Sequence, residues 1–161
     1  MRRLVAGWVF VALCVVGVTG CSHKKPAPDE NSALGIVTTA DLGSSDQGKA
    51  YGIKTVNFSY DGYILDVAAK AILSENAKIL KSHASAKIQI EGYCDNRGGI
   101  QYNIALGEKR AKAALHYLRD LGISEGRLTT VSYGKENPLD TAETEEAYAK
   151  NRRANFVLTA K

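Results

Sequence analysis

Gly92-Tyr93-Cys94-Asp95-Asn96-Arg97-Gly98-Gly99-Ile100, continuing as QYNIALGEKRAKAALHYLRDLG to Gly122, is the stretch whose reading decides the fold. An alternating strand, with Ile88 and Ile90 set against Lys87, Gln89 and Glu91, runs up to Tyr93 and gives way to a polar, glycine-containing turn. A helix follows. Gly107, Ala111, Ala114, Leu118 and Leu121 step by four and three, and Gly122 is a fitting stop signal. On a wheel of 100° per residue with Gly107 at zero, Asn103 and Arg110 fall within about 60° of the apolar stripe. The side that is Ala/Leu late in this helix is therefore polar early, with a glycine between the two polar residues that lets another group approach the backbone. Asp95 sits just past the strand that the helix should cover. An acid, an amide and a guanidinium are thus expected near one another at one end of a packed layer, either as an open polar pocket or as an Asp95–Arg110 pair that closes on itself. An acid and a guanidinium side by side suit a small zwitterion.

Outward from this stretch, Val56, Phe58 and Tyr60 alternate as a strand, and Leu65, Ile72 and Ile79, with Leu73 and Leu80 beside them, repeat at seven as one helix face. Leu128–Tyr133 reads as a strand and Gly134–Pro138 as a turn. Asp140 with Glu143 has the spacing of a capping pair opening a short acidic helix. Ala154, Phe156 and Leu158 alternate in a final strand. The order strand-helix-strand-helix-strand-helix-strand predicts an α+β two-layer sandwich, a mixed sheet of about four strands covered by helices. The 107 residues from Thr55 to Lys161 suffice for one core.

The N-terminal part reads differently. Arg2 and Arg3 precede an apolar run from Leu4 to Val18 that ends in small residues at Gly20, before Cys21. This is a signal segment rather than a membrane span, which needs about twenty apolar residues. Val18-Thr19-Gly20-Cys21 resembles the lipobox of bacterial lipoproteins, which implies cleavage before Cys21, acylation of that cysteine and stable anchoring by several chains. Ser22 after the cysteine, where inner-membrane lipoproteins often carry aspartate, favours the outer membrane. Residues 21–50, rich in Ser, Pro, Asp and Gly, read as a flexible tether, and 51–161 as the folded domain. Without residues 1–20 the chain has 19 Lys+Arg, that is 21 less Arg2 and Arg3, against 17 Asp+Glu. A charge of +2 is too balanced to argue for nucleic acid. Cys94 is the one thiol left unassigned, so no intramolecular disulfide is expected.

Four separated motifs carry a resemblance to a known family. They are Asp95-Asn96-Arg97-Gly98; Tyr102-Asn103-Ile104-Ala105-Leu106-Gly107-Glu108-Lys109-Arg110-Ala111; Val131-Ser132-Tyr133-Gly134-Lys135-Glu136-Asn137-Pro138; and Ala147-Tyr148-Ala149-Lys150-Asn151-Arg152-Arg153-Ala154. Together, over roughly Thr55–Leu158, they resemble the OmpA-like peptidoglycan-binding domain, and most of all its lipid-anchored branch, the peptidoglycan-associated lipoproteins. The resemblance implies a non-enzymatic protein without cofactor beyond the lipid on Cys21. It would be held in the outer membrane facing the periplasm, where it binds peptidoglycan and works with TolB-like and TolA-like proteins of an envelope system active in cell division. It implies that Asp95 and Arg110 clamp the diaminopimelate of the stem peptide, with Asn103, Phe58, Asp61, Tyr102, Leu106 and the triplet Asn151, Arg152, Arg153 around them. Alternation sends Arg152 and Arg153 to opposite faces, so at most one of them should face the pocket. Members of that branch usually carry His and then Ala or Thr before the aspartate, where this chain has Tyr93 and Cys94; the difference falls on the expected rim.

A fork of N–H groups on a carboxylate and an aspartate on an ammonium, at about 1.5–3 kcal/mol each, give millimolar to tens-of-micromolar affinity unaided. An array of anchored copies facing a dense lattice of stem peptides supplies the rest through effective concentration. This reading expects Asp95→Ala or Arg110→Ala to abolish binding with little change in thermal stability. Two alternatives compete with it: a lipoprotein whose main ligand is a TolB-like protein, and a cysteine-dependent wall hydrolase using Cys94. The second lacks a placed base, since His83 and His116 sit in no recognisable motif, and no HExxH metal spacing occurs. Glu143, Glu145 and Glu146 read as a solvated first helical turn.

Overall fold

The computed structural model describes residues 42–161; the signal segment, Cys21 and the tether up to residue 41 lie outside the described residues. Four strands, β1 (Val56–Asn57), β2 (Lys87–Tyr93), β3 (Leu128–Gly134) and β4 (Arg153–Ala160), form one mixed sheet in the order β1-β4-β2-β3. The β4 strand runs antiparallel to both β1 and β2, and β3 parallel to β2. The helices are α1 (Val67–Ser82), α2 (Ile100–Asp120) and α3 (Glu145–Asn151). The predicted order and the two-layer architecture hold.

Register explains the core. Ile88 faces Leu158 and Ile90 faces Phe156 across β2 and β4, and this face is covered by Leu73 and Leu80 of α1 and Ala111, Ala114 and Leu118 of α2. On the opposite face of β2 the alternation does not end in water. Glu91 is buried, its carboxylate accepting from the Tyr93 hydroxyl at 2.7 Å and from Asn155 Nδ2 at 2.9 Å. The Tyr93 side chain therefore lies on that far face, stacked on Tyr133 and under the Arg153 guanidinium at 3.8 Å. It is not on the rim of a pocket formed by α2, as the sequence comparison had suggested.

Three boundaries differ from the sequence reading, each for a physical reason. The first strand shortens to two residues, and Tyr60 is exposed, because the chain turns at Asp61, whose φ is +53°. Leu65 precedes α1, which starts at its N-cap Asp66, with the carboxylate accepting from Ala69 N–H. The short helix is capped by Thr144, whose hydroxyl accepts from Ala147 N–H, rather than by an Asp140/Glu143 pair. Asp140 instead accepts from Ala142 N–H and Lys150 Nζ.

The last part of the expected tether is also folded. Ser44 bridges to Val157, Ser45 N–H donates to Phe156 O and Leu158 N–H to Gly43 O, while Leu42 and Ala50 are buried. Past the short β1, the edge of β4 has backbone groups that need partners, and small residues approach them closely enough to provide them. An ion pair of 2.8 Å between Arg153 and Asp46 ties the segment down.

The close approach expected at Gly107 is made by the backbone of strand β2. A Cβ on Gly92 would lie 1.8 Å from the Gly107 carbonyl oxygen, and one on Gly107 would lie 2.8 Å from that of Gly92. Helix α2 thus meets strand β2 backbone to backbone, which brings the first half of the helix down onto the strand's C-terminal end. Gly92→Ala is expected to destabilise the domain by about 3 kcal/mol, because backbone atoms cannot yield to the added methyl; urea unfolding measures this.

Candidate functional site

At the C-terminal end of β2 the first half of α2, the turn 95–99 and the loop after β1 enclose a cavity of about 220 Å³. Its lining includes Asp95, Asn103, Arg110, Asp61, Tyr102 and Leu106, six of the residues the sequence pointed to. The remaining lining comes from Tyr60, Cys94, Arg97 and Gly98.

Arg110 is 1% exposed, yet it faces no carboxylate within bonding distance. Its Nε donates to Gly62 O at 2.8 Å, Nη1 to Tyr93 O at 2.7 Å and Nη2 to Ser59 O at 3.2 Å. Three of the five guanidinium N–H groups are thereby used, and two are left for the cavity. Burial lowers its proton affinity, but a guanidinium stays charged. Phe58 lies beneath it, with its ring 5.3 Å from the guanidinium carbon, and supports the site from below rather than lining it.

Asp95 does not pair with Arg110, so the self-closed arrangement is not the one adopted. Its Oδ2 accepts from Arg97 Nη2 at 2.6 Å and from Arg152 Nη1 at 3.3 Å, and its Oδ1 from the Arg97 backbone N–H at 3.2 Å. Burial pushes the Asp95 carboxyl up, and these hydrogen bonds more than reverse that, holding it below the usual carboxylate range. Asn103 Nδ2 donates to Arg97 O and Gly99 O, so the amide fixes the turn as well as lining the cavity. The Tyr102 hydroxyl donates to Asp61 and closes the rim.

The Asn151-Arg152-Arg153 triplet divides. Arg152 reaches the site, binding Asp95, Glu145 at 2.8 Å and Phe58 O at 3.1 Å. Arg153 points to the far face, where it pairs with Asp46. Asn151 accepts from the backbone N–H groups of Leu139 and Asp140 and donates to Asp140 O, a role in holding the loop before α3 and not in the cavity. Sequence reasoning missed Arg97 and Glu145. Arg97 read as part of a polar turn and Glu145 as a solvated residue, but Glu145 pairs with both Arg97 and Arg152. No spacing signal links residues 48 apart; only the docking of α3 does.

Cys94 is buried, its thiol 3.3 Å from Asn103 O, and burial pushes the thiol up from its ordinary value. A protonated thiol hydrogen-bonded to a carbonyl is a small core residue and not a nucleophile. His83 caps α1 against Ile79 O and stacks on Tyr51, while His116 is exposed on α2. Neither histidine lines the cavity. Among the described residues no group of His, Cys, Asp or Glu is arranged to hold a metal, and no helix is long and apolar enough to cross a membrane.

Comparison with known proteins places the fold and the family. Residues 57–152 match the OmpA family. The peptidoglycan-associated lipoprotein of Pseudomonas putida is 39% identical over 91% of this chain and 92% of its own length. That of Brucella melitensis is 33% identical over 98% of this chain and 92% of its own. The crystal structure of the peptidoglycan-associated lipoprotein from Burkholderia pseudomallei superposes with a TM-score of 0.64 at 38% identity, covering 70% of this chain and 97% of that one. The C-terminal domain of Helicobacter pylori MotB shares the fold, with a TM-score of 0.64 at 21% identity.

Two outcomes follow from the geometry. Arg110→Ala strands the buried carbonyl of Tyr93 and removes the tie to the part-buried carbonyls of Ser59 and Gly62, so it is expected to lower stability by about 1–3 kcal/mol in urea unfolding, in contrast to the small change expected from sequence. Asp95 has a folded-state carboxyl below its unfolded value of about 3.9, so its contribution to stability is complete above that value and fades as pH falls through the folded one. The stability gap between wild type and Asp95→Asn should therefore be constant from about pH 7 to 5 and close at lower pH, as read by thermal melts across pH.

Proposed function

The chain belongs to the OmpA family, and from that premise we propose that it is a lipoprotein of the outer membrane that binds peptidoglycan without chemistry, through the diaminopimelate of the stem peptide. One observation carries the reading: Asp95 and Arg110 line the same cavity without pairing, and Arg110 keeps two N–H groups unused. A carbon bearing a carboxylate and an ammonium matches such a pair. The fork on Arg110 takes the carboxylate, and Asp95 takes the ammonium. Arg110 is fixed by three carbonyls before any ligand arrives, so little ordering accompanies binding. Tyr102, Leu106 and Asn103 shape the walls, and Asp61 holds Tyr102 at the mouth. Acylation of Cys21, with the tether 21–41 behind it, would hold the domain within reach of the wall, and weak single sites would add up across many anchored copies. A place in a Tol-Pal system active in division belongs to the same proposal.

Docking of a TolB-like protein is a second role favoured by a separate observation. Tyr60 is 62% exposed and Tyr102 54%, both at the cavity, and Tyr63 and Ile64 continue the exposed apolar surface along the loop. A partner seated there would cover the cavity, so the two ligands would exclude each other.

Purified sacculi should pull down the wild-type domain, free diaminopimelate should compete, and Asp95→Asn should lose most of the binding while remaining folded. Equal capture of Asp95→Asn, with no competition by diaminopimelate, would overturn the assignment. For the second role, wall fragments should displace a TolB homologue from the domain; a stable ternary complex would rule out a shared surface.

A further inference from the structure

The carboxylate assigned to the ligand's ammonium is already occupied in the free protein. Asp95, Arg97, Glu145 and Arg152 form a closed ring of alternating charge. Arg97 Nη2 lies 2.6 Å from Asp95 Oδ2 and its Nη1 lies 3.3 Å from Glu145 Oε2, while Arg152 Nη1 lies 3.3 Å from Asp95 Oδ2 and 2.8 Å from Glu145 Oε1. A cation brought to Asp95 meets two guanidiniums there and a third at Arg110, and like charges a few ångströms apart repel strongly in a partly dry cavity. Asp95 already accepts three hydrogen bonds, and Arg110 is assigned to the ligand's carboxylate, so the ligand's ammonium competes for Asp95 with Arg97 and Arg152.

The three arginines are not equally held. Arg110 is pinned by carbonyls on three sides. Arg152 has 8% of its side chain exposed and is anchored on Phe58 O. Arg97 is 34% exposed, its buried Nε has no hydrogen-bond partner, and it has a second carboxylate within reach in Glu145, itself 61% exposed and free to follow. Its guanidinium carbon lies 4.1 Å from the centre of the Tyr60 ring and 4.5 Å from that of Tyr148, cation–π contacts that do not depend on Asp95.

We propose that Arg97 is a displaceable latch on Asp95. A ligand cation takes Asp95 from it, and the Arg97 guanidinium leaves Asp95 while keeping its existing pair with Glu145. Arg97 is then a specificity-determining residue. Only a group that brings a positive charge can replace the one removed, so a neutral or acylated amine leaves the latch shut. Glu145, outside the cavity, acts through Arg97 as a positioning residue. The inference rests on the reading of Asp95 as the ammonium acceptor.

The test titrates the stem tetrapeptide containing meso-diaminopimelate, with its side-chain amine either free or acetylated, by calorimetry. The proteins are wild type, Arg97→Ala, Arg97→Gln, Glu145→Gln, the Arg97→Ala/Glu145→Gln double variant and Asp95→Asn. Arg97→Gln retains length and ring contact should the alanine variant fold poorly. With the latch removed, affinity for the free amine should rise about tenfold, the size ordinary for a close charged pair, and affinity for the acetylated peptide should not change. Glu145→Gln should weaken binding of the free amine about threefold, and that loss should shrink in the double variant. If wild type binds but neither Arg97 variant binds more tightly, or if the Glu145→Gln loss is the same in both backgrounds, the latch is wrong and the wall-binding reading stands. If neither wild type nor the Arg97 variants bind, or if Asp95→Asn binds like wild type, both fall together.

Discussion

A guanidinium buried against three backbone carbonyls is the interaction on which the rest of this structure depends. Arg110 stands on α2, and its partners come from the end of β2 at Tyr93 and from the loop after β1 at Ser59 and Gly62. Taking a charge out of water is unfavourable by several kcal/mol unless its donors are satisfied, and here the backbone satisfies them. Carbonyl dipoles balance the charge without cancelling it, as a carboxylate would. The cavity therefore retains a fixed positive wall that an anionic group can use. The backbone contact of Gly92 with Gly107 makes this possible by setting α2 low enough on β2 for Arg110 to reach the strand's end.

The opposite wall is built on another principle. Asp95 is held by neighbouring charges rather than by backbone dipoles, and those charges belong to a ring closed by an exposed glutamate from a different helix. Each guanidinium of this ring touches both carboxylates, so neither depends on Asp95 alone. A rigid cationic wall facing an adjustable anionic one gives the cavity a fixed end and a responsive end. The far side of the sheet has no part in this. Its buried Glu91, with Tyr93, Asn155 and the Arg153–Asp46 pair, fastens the segment before β1 to the sheet.

Much of the fold was legible because periodicity reports burial directly. The alternation in β2 and β4 and the stripe of α2 all carried through, and the polar start of that stripe was a true sign of a cavity. The failures share a cause. Asp140 and Glu143 have capping spacing, but the backbone of Leu139 and Asp140 is held by Asn151 and the Asp140 carboxylate is taken by Ala142 N–H and Lys150, so the helix is capped at Thr144. Residues 42–50 look like linker because small polar residues do, yet they pack through their backbone, which composition does not report. Tyr93 was expected at the rim from its place beside Asp95, and the pleat turned its side chain to the other face.

The sequence alone therefore determined the two-layer mixed sheet and the presence of Asp95, Asn103 and Arg110 at one end of the domain. Each of these follows from local patterning, in which neighbours in the chain carry the information. The tertiary structure decided which charges meet. It separated Asp95 from Arg110, sent Arg152 and Arg153 to different faces, and brought Glu145 from 48 residues away onto Arg97. Ion pairs form between groups that packing brings close, and that proximity is set by the docking of α3 against the turn, which no local pattern encodes.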